Sequence, residues 1–407
     1  MIQTCGTMGG ALALVILLPF AVAAQDGSTG PSGPGARLEL EVIHDWRASA
    51  ATANLAAALE ARTPYRWLDG EADDVVLVSR IIGGDPPEAA LMPLGHQVAD
   101  LARTGFLLDL TPLALAEDWR GGLADPGLLD ACTVDGRVFC LPVTLRAKGW
   151  LMVSRPAFAR AGIDTPGSWD ALLDAADPLR AAGVEPLALE RPAALGDMLE
   201  SLTLAAGGSS DWVAAHRDGD GAAARGAAFA RGFEELARAR AFALDPEGAP
   251  RPGSWADGTP AALMTDDGSW SAGASGDMRC LPGLGNSGPL AVTGDAFLFP
   301  NRGDPELARA QLALARLLME PDIQTGVSND LGVLPARRGV DLTALHACTR
   351  RGLVSLAAGG SVPARDLLLP RGLGDELDAL LAAFWADPDM APADLQERYA
   401  DILSRGR

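Results

Sequence analysis

The sequence predicts an α/β protein folded as two units, with sheets flanked by helices. Three observations carry that prediction. A single hydrophobic core stops growing near about 250–300 residues, so a chain of 407 residues should divide. Short β-favouring runs alternate near the start with Ala- and Leu-rich helical runs, the pattern of strands joined by crossover helices. The stretch 134–154 reads as a hairpin that stops, crosses something and resumes as a strand, so the chain does not stay in one continuous sheet there.

Taken in order, 38–43 alternates apolar and polar residues and predicts a strand, with His44-Asp45-Trp46-Arg47 as the loop at its end. An Ala-rich helix follows at 48–62 and another helix at 74–82, despite its valines. Residues 88–92 form a buried second strand leading to Pro93-Leu94-Gly95-His96, and 98–102 begins a helix. This alternation implies a parallel or mostly parallel sheet with ligand-facing loops at the strand ends. Asp135-Gly136 is a two-residue turn whose positive φ suits a hairpin. Pro142 then denies the ladder a donor, 145–149 interrupts the sheet, and Trp150-Leu151-Met152-Val153 resumes it.

Beyond the crossing, a short helix starts at Arg155, and Ser168 caps an amphipathic helix at 169–180 whose apolar face is Leu172, Leu173, Ala176 and Leu179. Strands are expected at 186–189, 261–264 and 297–299, and helices at 211–216, 227–240, 307–319 and 323–327. Residues 331–335 read as an extended passage.

The net charge of −20 excludes nucleic acid and anionic membrane surfaces as partners held by bulk electrostatics. Lysine occurs once, at Lys148, while Arg supplies the other positive charges, a balance that fits GC-rich codon usage. Residues 1–24 read as a secretory signal peptide, with a retained anchor as the alternative, and 25–36 as a flexible tether rich in Gly, Ser and Pro. Cys132, Cys140, Cys280 and Cys348 then remain, an even count suited to an oxidising compartment, with three possible connectivities. The Asp135-Gly136 turn sets residue 132 opposite 139, so a Cys132–Cys140 bridge requires an irregular hairpin.

Enzyme readings find little support. The sequence holds no Gly-x-Ser-x-Gly elbow, no Cys-x-x-Cys and no phosphate loop, and its histidines, His44, His96, His216 and His346, are scattered. Asp218-Gly219-Asp220-Gly221 imitates a calcium loop, but Phe229 stands where the bidentate carboxylate belongs. Asp266-Asp267 reads as a capping pair. No catalytic residue, metal or cofactor is expected.

An ordered set of segments carries a resemblance: Glu41-Val42-Ile43-His44-Asp45-Trp46, Ile82-Gly83-Gly84-Asp85-Pro86-Pro87-Glu88-Ala89, the hairpin and crossing with "FARAGIDTPGSWDALLDAA" after it, Gly268-Ser269-Trp270, Gly294-Asp295-Ala296-Phe297, Gly332-Val333-Leu334-Pro335-Ala336-Arg337 and Phe384-Trp385-Ala386-Asp387-Pro388. From Leu38 to the C-terminus the chain resembles the extracellular solute-binding proteins of ABC importers, in the branch of maltose- and glucose-type sugar binders. The resemblance implies a two-lobed, type II-like periplasmic-binding-protein fold with mixed sheets and three inter-lobe crossings, near 143–146, 289–294 and 338–343. Lobe one would hold 37–143 and 294–338, and lobe two 146–290 and 343–407. It also implies a Cys280–Cys348 bridge and a periplasmic monomer that captures a small-molecule solute and delivers it to the transmembrane subunits of an ABC permease. A degenerate sensor or periplasmic accessory protein is the alternative.

Sugar recognition needs aromatic faces for the apolar ring surface and charged or amide groups for the hydroxyls. The candidates on cleft-facing segments are Asp45, Trp46, Arg47, His96, Arg146, Lys148, Trp150, Trp270, Asp295 and Arg337. Four polar contacts of the glucose-type pattern fall instead at Ala51, Leu94, Leu331 and Ala358. Losing two charged hydrogen bonds costs roughly 3–6 kcal/mol, enough to abolish micromolar affinity for the same sugar. Arg47, Arg146 and Lys148 beside Leu94 and Leu331 predict a cationic, partly apolar cleft suited to a less hydroxylated solute or one with a carboxylate.

Overall fold

The computed structural model describes residues 37–44, 46, 50–189, 194–244, 260–265 and 277–406. The predicted signal peptide and tether, Asp45, Arg47, the Asp266-Asp267 pair and Trp270 lie outside the described residues. In chain order the strands are β1 (Leu38–Ile43), β2 (Tyr65–Gly70), β3 (Ala89–Pro93), β4 (Thr133–Val134), β5 (Arg137–Val138), β6 (Cys140–Pro142), β7 (Thr144–Ala147), β8 (Trp150–Ser154), β9 (Leu187–Leu189), β10 (Ala243–Leu244), β11 (Ala262–Thr265), β12 (Met278–Leu281), β13 (Leu290–Thr293), β14 (Asp295–Leu298), β15 (Leu334–Pro335) and β16 (Ser361–Pro363).

They build two main sheets, ordered β2-β1-β3-β14-β6 and β10-β9-β11-β8-β12, and a third, β15-β7-β13-β16, that links them. The crossings make the third sheet. β7 lies between β6 of the first sheet and β8 of the second, and β13 between β12 and β14, so each passage of the chain leaves a strand behind. The last passage runs from β15 to β16. The fold is therefore two-lobed with three crossings. A large apolar core gathers residues 151–284, Ala291 and the late stretch 362–403, including Trp169, Phe229, Phe233, Phe384 and Tyr399.

Several expectations change. The sheets are mixed, as the resemblance implies, and not mostly parallel as the alternation alone suggests: β1 and β3 run parallel, but β14 returns antiparallel to both β3 and β6, because a chain re-entering from the other lobe meets the sheet from the opposite direction. β2 was not foreseen, which makes the 88–92 strand the third. Residues 145–149 do not simply interrupt a sheet, since Thr144–Ala147 is itself a strand of the linking sheet, and Pro142 sits on the edge strand β6, where a missing N–H is tolerated. The helix expected at 323–327 runs from Pro321 to Leu331 and ends on Gly332 in the left-handed region. A twelve-residue helix, Ala194–Ala205, was missed altogether.

Local chemistry explains what was read correctly. Asp135 and Gly136 have φ of 51° and 76°, and Val134 pairs with Arg137 across the turn. Ser154 and Ser168 accept hydrogen bonds from the amides of Ala157 and Ala171, capping the helices they precede. All four residues of the predicted apolar face, Leu172, Leu173, Ala176 and Leu179, are buried. Asp218 closes one helix and Asp220 caps the next, so the calcium-like run is a turn.

Both disulfides are formed. Cys280 ties β12 to the helix Ala347–Gly359 through Cys348, with Cα atoms 5.6 Å apart. The Cys132–Cys140 bridge uses the irregularity it requires. Phe139 still bonds back to the Cys132 carbonyl, but the hairpin ladder ends at Val138, and Cys140 turns away to pair with β14 at a Cα distance of 5.0 Å from Cys132.

Candidate functional site

A cavity of about 500 Å³ opens where the C-terminal end of β3, the crossings and the turn after β16 converge. Two glycines allow the backbones to meet there. A Cβ on Gly294 would lie 2.3 Å from the Thr144 carbonyl, where two crossings pass each other. Gly149, at φ +72°, presses the turn after β7 against the helix Ala194–Ala205, where a Cβ would lie 1.8 Å from Ser201 Oγ.

Four of the candidates from sequence line this cavity: His96, Arg146, Lys148 and Asp295. Asp295 begins β14 and is nearly buried. Its Oδ2 accepts from Thr144 Oγ1 at 2.8 Å and from Arg146 Nε and Nη2 at 2.9 Å each, and its amide donates to Thr144 Oγ1. His96 starts the helix after β3, and its Nε2 reaches the Leu368 carbonyl at 3.1 Å, so that nitrogen carries a proton. Lys148 Nζ lies 2.9 Å from Asp366 Oδ2 and 3.6 Å from Asp197 Oδ1. Burial alone would push its ammonium pKa down, but Asp197 and Asp366 overcome that and hold it well above the ordinary lysine value.

Three other candidates do not reach the wall. Trp46 is buried edge-on against Phe297, with ring centroids 5.7 Å apart. Trp150 is wholly enclosed, donates Nε1–H to the Ala147 carbonyl at 2.9 Å, and leaves no room for a side chain at Gly352. Arg337 folds onto the carbonyls of Met319 and Arg338. Strand β8 points Trp150 into a packed layer, while Trp46, three residues past the end of β1, packs against Phe297 of β14 instead of facing the cavity. Of the substituted positions, Leu94 lines the cavity, Leu331 is half-buried at a helix end and Ala358 is exposed on a helix.

The wall also holds residues that sequence reasoning missed. Arg365 and Asp366 follow β16, and Arg371, Asp375 and Asp378 belong to the next helix, Arg371–Ala386. Arg365 is 5 % exposed and donates from Nη2 to Asp378 at 2.6 Å. Behind it, Glu200 is completely buried, and its Oε1 accepts the Arg365 amide at 3.0 Å. Burial, reinforced by Asp197 and Asp366, pushes the Glu200 carboxyl up to about 8, against the opposing pull of Lys148 and Arg365. Deeper still, His216 donates Nδ1–H to the Trp212 carbonyl and accepts from the Tyr399 hydroxyl, each at 2.8 Å, while burial pushes its pKa down to about 3. The available sequence signal was a pair of acids, Asp197 and Glu200, three residues apart in an otherwise apolar helix.

The cationic cleft expected from the sequence is corrected by these pairings. Arg146, Lys148, Arg365 and Arg371 all line the wall, and each is matched by an aspartate: Asp295, Asp366, Asp378 and, at 3.2 Å, Asp74. Among the described residues, another hollow of about 470 Å³ lies between the last two helices, around Leu380, Arg398 and Ile402, away from the crossings.

A two-lobed α/β fold with a polar cavity at its crossings defines a solute-binding protein of the periplasmic-binding class. Residues 67–277 match the model for the bacterial extracellular solute-binding protein family, and the chain belongs to that family. It is 28 % identical over 391 residues to a probable sugar-binding periplasmic protein of Mesorhizobium japonicum, covering 90 % of this chain and 88 % of that one. Among solved structures, a chitin oligosaccharide binding protein superposes with a TM-score of 0.73 at 19 % identity over 91 % of this chain and 99 % of that one. A bacterial solute receptor with an exclusive preference for β-D-galactopyranose also gives 0.73, at 15 % identity over 89 % and 97 %.

Proposed function

We propose that this protein is the exported receptor of an ABC importer and that it captures a neutral, polyhydroxylated solute, a mono- or small oligosaccharide, in the cavity between its lobes. The observation that carries the reading is the pairing of every cation that lines the cavity with an aspartate. Such a wall offers alternating donors and acceptors without an uncompensated positive charge. A sugar hydroxyl both donates and accepts and fits this arrangement, whereas a carboxylate would have to displace an aspartate already in place. The names of the relatives point the same way.

His96, Arg146, Lys148, Asp295 and Asp366 are the side chains proposed to meet the solute. In this reading lobe one comprises 37–143 and 294–338, and lobe two 146–290 and 343–407, a division supported by the joint core of 151–284 and 362–403. Solute bridging both walls favours the closed arrangement, in which His96 meets Leu368 and Arg371 meets Asp74, and a permease would receive that form. The role is binding and delivery rather than catalysis.

A thermal-shift panel of galactose, glucose, tagatose, maltose and chitin oligosaccharides, set against citrate, malate and acetate, tests this. A sugar present at a hundredfold excess over its Kd adds about 2.7 kcal/mol to the folded state and raises Tm. Shifts given by the organic acids alone would overturn the proposal.

A further inference from the structure

Glu200 does not line the cavity, yet it controls a residue that does. The helix Arg365–Leu368 begins immediately after β16, and the amide of its first residue has no acceptor within its own helix. Glu200, reaching across from the central helix Ala194–Ala205, supplies that acceptor through Oε1. The next residue, Asp366, stands in the cavity wall with Oδ2 on Lys148 Nζ. We propose that Glu200 is a positioning residue: by holding the Arg365 amide it fixes the turn that presents Asp366, and with it Lys148, to the solute, and so sets affinity without touching the solute. This rests on the solute occupying the cavity as proposed above.

The surroundings say which form of Glu200 does this. Asp197 on its own helix, Lys148 from the crossing, Arg365 and Asp366 from the short helix, and Tyr399 from the last helix all face it, and its Oε2 has no hydrogen-bond partner. Burial and the two aspartates keep the carboxyl neutral up to about pH 8. Ionised, it would be a third carboxylate competing with Asp197 and Asp366 for Lys148, and the turn would loosen. Glu200→Gln imitates the neutral form, while Glu200→Ala removes the acceptor.

The test uses the full-length protein with galactose, maltose and diacetylchitobiose as probes in calorimetry, together with amide hydrogen exchange of the segment 361–370 without sugar. Expected for Glu200→Ala is at least about tenfold faster exchange at the Arg365 amide and at least about tenfold weaker sugar binding. Glu200→Gln should bind within about threefold of wild type near pH 6.5, and should lack the fall of about fivefold or more that wild type undergoes by about pH 9. Unchanged exchange in Glu200→Ala, faster exchange with unaltered affinity, or identical pH profiles for wild type and Glu200→Gln would each overturn the proposal. If Glu200→Ala does not fold, the pH comparison decides alone. If wild type binds none of the three sugars, the sugar reading fails by itself, and the exchange experiment still decides whether Glu200 fixes the turn.

Discussion

The two walls of the cavity solve the same problem differently. On one side, formed by the linking strand β7, the start of β14 and the helix after β2, the charged groups stand in separate pairs that keep contact with water: Arg146 retains 28 % of its side-chain exposure beside Asp295, and Asp74 26 % beside Arg371. On the other side Lys148, Asp197, Glu200, Arg365 and Asp378 run back from the cavity into the core, and His216 and Tyr399 continue the chain of polar contacts where no water reaches. Exposed pairs are worth little and can be changed one at a time, but dehydrated charges depend on one another. The first wall thus offers an adjustable surface, and the second a preformed one.

The largest expected effect breaks the buried side. Arg365→Ala leaves Asp378 without its guanidinium and deprives the acids around Glu200 of a compensating charge, at an expected cost of about 3–5 kcal/mol. Arg146→Ala should cost less, about 1–3 kcal/mol, because the nearly buried Asp295 loses a charge-assisted partner but keeps the Thr144 hydroxyl. Urea unfolding of both variants measures the contrast, with each lobe followed separately if two transitions appear. Equal losses would erase the distinction between the walls.

A smaller effect sharpens it through pH. His216 is neutral in the folded protein down to about 3, against 6.5 for the unfolded chain. The unfolded state therefore binds the extra proton first, and the stability that neutral His216 contributes is present above about pH 6.5 and is lost as pH falls from there toward 3. Glu200 acts in the opposite sense, its folded pKa of about 8 making the protein lose stability as pH rises from 4.5 toward 8. His216→Gln should flatten the decline of Tm on the acid side of pH 6.5 and leave the behaviour above it unchanged. A decline of unaltered slope would locate the acid sensitivity elsewhere.

How much of this was legible in the sequence follows the same division. The hairpin could be read because local chemistry marks it, Asp135-Gly136 forcing its turn, and His96 and Asp295 could be placed at strand ends, whereas the crossings came through the resemblance and the close approach at Gly294 shows only in the fold. The buried network could not be read. Asp197 and Glu200 occupy neighbouring turns of one helix and look like a solvated face, and only the packing of the helices Ser209–Asp218, Ala227–Arg240 and Arg371–Ala386 with β11 and β13 around Ala194–Ala205 buries them. Arg365-Asp366 resembles any surface pair until β16 is seen to set it against Lys148. The aromatic residues misled for the converse reason. Trp46 and Trp150 have the right chemistry for a sugar face, but packing against Phe297 buries the first and the pleat of β8 turns the second inward, facts of tertiary packing that residue type does not encode.

The smallest effect concerns the contact that joins the walls. Arg371 is 70 % exposed and bonds Asp74, which the proposed division places in the opposite lobe, at 3.2 Å. Removing it should cost less than about 1 kcal/mol of stability, since exposed ion pairs are screened and hold flexible side chains. Its influence should fall instead on the balance between open and closed forms, because the pair exists only when the lobes meet across the cavity. Arg371→Ala should therefore weaken galactose or maltose binding by no more than about threefold, and the difference from wild type should shrink in about 0.5 M salt, where an exposed ion pair is strongly screened. A deficit that high salt does not shrink would mean that Arg371 touches the sugar, and the second wall would then extend further across the cavity than its buried members do.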